Sequence, residues 1–314
     1  MKAGGRLPRW FAPLLLTAFL VVLWEAVLSN DDNLQRFNAW VERQTSWNPS
    51  LDAVPPSILP RPSQILRRLL IVPPNRKGGP AYFWRHARST LFAAALGFVL
   101  GNLFAVITAT TFLYVKPLER ALMPVALALR SIPLVAITPL LLRIRFTIAD
   151  LPAVQASPVL SAVFGTDLAI KTLIVVIICY FPTLVNVARG LESVEPAALE
   201  LLHTLRASRW QVYWKLRVPT ALPLAFAAFR ITSSSSVLGA VVAEWLSSYQ
   251  GLGYVIKRAH AERAEPSMYA AMLLASCMAI SAFLIVNALQ RAVIPWHRQV
   301  VSLRPAVEGT GSEA

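Results

Sequence analysis

The 314-residue sequence has no G-x-x-x-x-G-K-[ST] loop, no H-E-x-x-H and no G-x-S-x-G. The first absence excludes ATP binding of the phosphate-loop kind, in which backbone N–H groups and a lysine cradle the phosphates. The other two remove common metalloprotease and serine-hydrolase frameworks, and the four histidines (His86, His203, His260 and His297) are scattered. No catalytic residue, no metal site and no cofactor is expected on this chain. Charge is also scarce: 15% of residues are charged and 56% hydrophobic. A soluble domain of this length carries more charge and shorter apolar runs. The only two cysteines, Cys179 and Cys277, lie inside apolar runs. They read as buried small hydrophobes rather than a disulfide or a metal site.

What the sequence does have is apolar runs approaching the roughly 20 residues that cross a bilayer. An all-α membrane protein with six transmembrane helices follows. The spans are expected near 11–28, 89–114, 121–142, 168–188, 220–246 and 268–294. The basic head MKAGGRLPRW before the first run, with no small-x-small cleavage pattern before Asn30, predicts an uncleaved signal anchor. The organisation is then 1–28, head and first span; 29–87, a polar, Pro-rich connection; 88–295, the helical core; and 296–314, a polar tail. Within the connection, SQILRRLL (63–70) predicts a short amphipathic helix at the interface.

The net charge of +14 is spread over the loops between spans, where Lys and Arg orient helices and meet anionic lipid. No folded basic domain exists to bind nucleic acid. Charge placement puts both termini, 114–120 and 189–219 in the cytoplasm; the arginines of 29–87, placed outside, run against this. The third span contains Pro124, Pro133 and Pro139, so it must be broken or kinked. Residues 143–167 are expected to form a loop. Gly97 and Gly101, four apart in the second span, allow a close helix approach.

The segment LELLHTLRASRWQVYWKLRVPTALP (199–223) is basic and aromatic between two apolar runs. As one helix, Leu201, Leu202, Leu205, Val212 and Leu216 recur at three- and four-residue steps. By itself this is a surface-lying amphipathic helix. Its residue order, however, resembles the cytoplasmic coupling loop of ABC importer permeases, Glu-Ala-Ala, three residues, Gly, nine residues, Ile-x-Leu-Pro. Glu200-Leu201-Leu202, Arg206 and Leu216-Arg217-Val218-Pro219 stand at those positions. ILPRPSQIL (58–66), ALRSIPLVAITPLL (128–141), FRI (229–231) and VVAEW...GLGYVI (241–256) resemble, in order, the nitrate, sulfonate, taurine and thiamine-precursor branch of that family.

The resemblance implies a type I ABC importer permease fold in the bacterial inner membrane, with a cytoplasmic coupling helix at 195–219. It implies a second permease copy, two cytoplasmic ATPase subunits that hold ATP and Mg, and an extracytoplasmic binding protein. Glu200, Leu201, Leu202, Leu205, Arg206, Trp210, Leu216 and Pro219 would form the ATPase contact. Two leucines replace the alanines, and Arg206 replaces the glycine. Glycine there permits a positive φ, whereas arginine prefers helix or is strained, so a loop that is more continuously helical, or one adapted to a particular ATPase, is expected.

For the solute pathway, Arg130 is an intramembrane cation that an anionic solute would suit, and Arg230, at the start of the fifth span's serine run, is a further pathway candidate. Pairing of Arg130 with carbonyls of the broken helix is the competing reading. Ser233, Ser234, Ser235 and Ser236 cover every face of a helix, serving either close packing or a hydroxyl-lined path. Glu244 and Gly251-Leu252-Gly253 read as a helix end and turn. The branch implies a small organic anion or a thiamine- or riboflavin-precursor-like solute. The alternative function is ion-coupled secondary transport, disfavoured because the second, fourth and sixth spans lack acidic residues in their cores.

Overall fold

A computed structural model describes residues 19–23, 25–26, 60–70, 80–130, 134–152, 156–157 and 167–295. These residues are helical or connecting, with no strand among them. The helices are α1 (Pro62–Leu70), α2 (Pro80–Tyr114), α3 (Lys116–Arg130), α4 (Leu134–Ala149), α5 (Asp167–Glu192), α6 (Pro196–Thr204), α7 (Arg209–Val212), α8 (Val218–Ser247), α9 (Leu252–Ala261) and α10 (Glu265–Val293). A π-helical turn, Tyr213–Arg217, joins α7 to α8. Two compact units are present: residues 1–86 with 254–274, and residues 87–253 with 275–314.

Four helical stretches among the described residues are long and apolar enough to cross a membrane: Pro80–Tyr114, Asp167–Glu192, Arg209–Ser247 and Glu265–Val293. They contain the expected second, fourth and fifth spans and all but the last residue of the sixth. Of the expected first span only 19–23 and 25–26 are described, and these are helical. The third divides into α3 and α4, with 131–133 outside the described residues. Pro124 and Pro139 lie inside those two helices, each removing one backbone donor. The expected loop at 143–167 is corrected at its start. Helix α4 runs on to Ala149 because RIRFTIA contains no helix breaker.

In the second unit, α5 and α8 pack along their length with α2 beside them, and the contact surfaces are made of small residues. Ala93, Ala94, Val175, Cys179, Val237, Ala240 and Ala279 form one buried cluster. Ala105, Ala109, Phe112, Leu184, Val187, Ala188, Ala221 and Ala225 belong to another. Large apolar side chains such as Phe92, Leu103, Phe104 and Ile107 point outward. This is the pattern expected where lipid is as apolar as leucine and helices gain by close backbone approach. A Cβ on Gly97 would come within 2.5 Å of Val175 Cβ, and one on Gly101 within 2.8 Å of the Val176 carbonyl oxygen. The Gly97/Gly101 spacing therefore serves packing of α2 on α5. Cys179 is buried as expected, whereas Cys277 is exposed on α10, where an apolar thiol is compatible with lipid.

Mid-bundle, the amide of Asn102 on α2 joins the same three helices. Thr183 and Thr232 donate hydroxyl protons to Asn102 Oδ1 at 2.6 and 3.3 Å, and Asn102 Nδ2 donates to the Phe98 carbonyl at 2.7 Å. A buried amide so satisfied holds helices in register where water is absent.

In the first unit, the expected amphipathic helix is present as α1. Ile65 is its buried residue, and Leu66 and Leu70 are exposed. The carboxylate of Glu25 accepts from Ser63 N at 3.1 Å and Ser63 Oγ at 2.8 Å. It thereby satisfies one of the orphan donors at the helix start.

Candidate coupling surface and buried polar network

Residues 195–219 do not form one continuous helix: of the two outcomes open to arginine at position 206, helix or strain, the structure has the second. Pro196 starts α6 at a position where its missing N–H costs nothing. The helix ends at Leu205 in a left-handed turn: Arg206 has φ 52°. Arg206 N donates to the His203 carbonyl at 2.9 Å and Ala207 N to the Leu202 carbonyl at 3.0 Å. This is the paired closure that usually places glycine at the left-handed residue. Arginine thus adopts the glycine conformation instead of extending the helix, at a cost of about 1 kcal/mol or more. Replacing Arg206 with Gly is accordingly expected to raise thermal stability by about 1 kcal/mol without changing helix content, measured by thermal unfolding in detergent with circular dichroism.

The chain restarts at once. Ser208 Oγ accepts from Gln211 N at 3.3 Å, and Gln211 Oε1 accepts from Ser208 N at 2.8 Å. This reciprocal cap nucleates a second helix. Val212 and Leu216 therefore lie on a different helix from Leu201, Leu202 and Leu205, and the single stripe is corrected to two short ones. The second helix runs into the membrane without a stop. At its junction Val218 N donates to the Tyr213 carbonyl, five residues back. Pro219, which has no N–H to offer, sits at the start of α8. The π turn lies directly before this proline.

No residue of α6 or α7 is buried. Leu201 is 61% exposed, Leu205 67% and Trp210 68%. Leu202 and Leu216 are half-buried, and Glu200 and Arg206 are exposed. Three contacts tie this surface to the bundle. Tyr213 OH and Thr110 Oγ1 of α2 are 2.9 Å apart. Arg217 Nη1 donates to the Leu191 carbonyl of α5 at 2.8 Å. A Cβ on Gly190 would stand 3.0 Å from Ala221 Cα, so α5 and α8 touch backbone to backbone there.

At the other end of α8 lies a constellation that sequence reading missed. Glu244 is 0% exposed and Lys171, on α5, is 2% exposed; their charged atoms are 3.7 Å apart. Thr90 Oγ1 lies 2.8 Å from Glu244 Oε2, and Gly253 N donates to the same oxygen at 3.0 Å. Thr90 in turn accepts from Leu252 N at 2.9 Å. Lys171 donates to the Gln250 carbonyl at 2.8 Å and reaches Ser89 Oγ at 3.4 Å. The Gly251-Leu252-Gly253 turn wraps this carboxylate. Gly251 has φ +114°, and a Cβ there would lie 1.9 Å from Glu244 Cδ. One at Gly253 would lie 2.0 Å from the Val241 carbonyl oxygen. Glu244 and the Gly-Leu-Gly segment are a helix end and a turn, and also one buried polar unit. The missed signal was Lys171 itself, a lone cation inside an apolar run.

The pathway candidates separate. Ser233 and Ser236 are buried against neighbouring helices and donate to the carbonyls of Arg230 and Ser233 at 2.8 Å. Ser234 and Ser235 are half-buried. Arg230 is half-buried in α8 and makes no side-chain hydrogen bond or ion pair with any described residue. Arg130 ends α3; its side chain lies outside the described residues. No cluster of metal-ligating side chains occurs among the described residues.

Residues 101–299 match the family model of the binding-protein-dependent transport system inner membrane component. The chain is 27% identical over 244 residues to the formylaminopyrimidine transport permease protein of Halalkalibacterium halodurans, covering 78% of this chain and 88% of that one. It is 28% identical to the riboflavin transport system permease protein of Chloroflexus aurantiacus, covering 79% and 84%. To the taurine transport system permease protein of Escherichia coli it is 26% identical, covering 80% and 84%. These likenesses support a permease subunit of an ATP-driven importer and give none to an ion-coupled carrier. The chain belongs to the family of binding-protein-dependent transport system inner membrane components, the multi-pass permease subunits of ABC importers.

Proposed function

We propose that residues 195–219 are the cytoplasmic contact through which a separate ATPase subunit, holding ATP and Mg, drives this permease. The observation that carries the reading is the uncovered apolar surface of Leu201, Leu205 and Trp210 on short helices tied to the bundle. Exposed leucines and a tryptophan outside the membrane region match the aromatic and aliphatic anchors of a protein interface. Glu200 and Arg206, both exposed, supply its charged rim. Displacement of this surface reaches α8 directly, because Arg209–Ser247 is one helical run. It reaches α5 through Arg217 and α2 through Tyr213.

The working assembly is two permease copies, two ATPase subunits and an extracytoplasmic binding protein, in the inner membrane with both termini cytoplasmic. ATP hydrolysis belongs to the partner, and this chain supplies pathway and coupling. The solute is a small organic anion. The relatives named for taurine and aliphatic sulfonates favour that class, as does Arg230, a half-buried intramembrane cation without a carboxylate partner among the described residues. Ser234 and Ser235 lie on the same stretch of α8. The relatives named for formylaminopyrimidine and riboflavin favour the vitamin-precursor alternative.

The test is mass spectrometry of what co-purifies with the tagged chain after mild solubilisation of its own membranes. A stoichiometric subunit bearing a phosphate-loop sequence is expected, and a co-isolated binding protein identifies the solute. A chain that purifies alone and transports in vesicles without ATP overturns the reading.

A further inference from the structure

The first compact unit contains a cavity of about 150 Å³ whose lining includes Arg68 of α1, Tyr82 of α2, and Val255, Arg258, Glu262 and Ser267. Arg258 is already engaged, its Nε donating to Glu262 Oε1 at 2.8 Å. Arg68 is half-buried, and its side chain makes no hydrogen bond or ion pair with any described residue. Two guanidinium groups against one carboxylate leave the described lining with an excess of one positive charge. One wall is the turn that ends α9. There Arg263 takes φ 51°, held by Arg263 N donating to the His260 carbonyl at 3.2 Å and Ala264 N to the Ala259 carbonyl at 2.8 Å. A non-glycine residue kept in that conformation marks a wall shaped by its surroundings.

The same unit carries the signs of a membrane interface. Leu66 and Leu70, one turn apart on α1, and Trp84 are exposed. Leucines on one face of a short helix enter the acyl boundary, tryptophan settles at headgroup level, and arginines beside them are held at the same depth. An unpaired arginine in a cavity at that level faces phosphate, which its planar fork binds in a bidentate manner.

We propose that this cavity binds the phosphate of an anionic phospholipid headgroup, with Arg68 as the principal contact and Arg258 and the Tyr82 hydroxyl beside it. The single net positive charge matches a phosphodiester, which carries one negative charge, better than free phosphate, which carries between one and two at neutral pH. The site is independent of the coupling surface, since none of its residues belongs to 195–219.

The experiment is native mass spectrometry of the full chain in mild detergent, with phosphatidylglycerol, phosphatidylcholine or inorganic phosphate added in turn. Retention of one phosphatidylglycerol per chain, in preference to phosphatidylcholine, is expected. Arg68→Gln should weaken that retention about tenfold or more, while Arg67→Gln, altering the exposed neighbour, should change it less than about twofold. Equal retention by the two variants overturns the site. Displacement of the lipid by equimolar inorganic phosphate overturns the lipid as its ligand. If Arg68→Gln does not fold, Arg68→Lys decides: it keeps the charge and loses the fork, so several-fold weaker retention is expected, and unchanged retention overturns the Arg68 contact.

Discussion

Replacing Leu201, Leu205 and Trp210 together by aspartate is expected to abolish ATP-driven uptake, while the chain still inserts and keeps its stability. All three side chains are more than half exposed, so their removal opens no cavity, and surface changes of this kind cost folding little. At a protein interface the same changes are severe. Apolar anchors are worth 2 kcal/mol or more each, and charge is depleted from interface cores. Even with strong non-additivity, a loss of about 4 kcal/mol, near a thousandfold in affinity, is expected for the triple variant. The measurement is solute uptake in vesicles, with membrane abundance and melting temperature as controls. Uptake at the wild-type level would remove 195–219 from the coupling role.

The second large effect concerns stability. Lys171→Met leaves the Glu244 carboxyl fully buried and without its counter-charge. Removing one member of such a pair costs about 3–5 kcal/mol, because the survivor must either keep a charge that has no water to turn to or take up a proton and give up its hydrogen bonds as an acceptor. The variant is expected to accumulate poorly and to melt well below the wild type in detergent. Adding Glu244→Gln should recover most of the loss. A glutamine oxygen still accepts from Thr90 and Gly253 N–H, and the uncompensated charge is gone. Replacing both members of a buried pair is often close to neutral. A Lys171→Met chain that melts like the wild type, or a double variant no better than the single, would show that the pair does not hold α5, α8 and the Gly251–Gly253 turn together.

Much of the molecule was legible because its signals are local or periodic. Length and hydropathy alone mark the apolar runs now seen as α2, α5, α8 and α10. Two prolines on either side of SQILRRLL enclose α1. The spacing from Glu200 to Pro219 carries the family resemblance, and the family match bears that resemblance out. A further local signal went unused: Ser208-Arg209-Trp210-Gln211 has the spacing of a capping box, and it restarts the helix where a continuous one was expected.

What stayed hidden is of two kinds: a local turn that competes with helix propensity, and polar partners distant in sequence. Arg206 carries a strong preference for helix, yet the Leu202 and His203 carbonyls, closed by Ala207 and Arg206 N–H groups, make the left-handed turn more favourable than another helical turn. Lys171 and Glu244 lie 73 positions apart and Thr90 a further 81 before Lys171. Each alone reads as an oddity at the end of an apolar run.

The sequence by itself therefore determined the class of protein, the positions of its long apolar helices and its family, because bilayer thickness and backbone satisfaction leave an apolar chain few choices. Only the tertiary structure decided which polar groups within those helices are paired, which of the four serines face a neighbour, and which leucines of 195–219 stay uncovered. Those outcomes depend on which faces meet, and helix faces meet through residues whose separation along the chain carries no periodic trace.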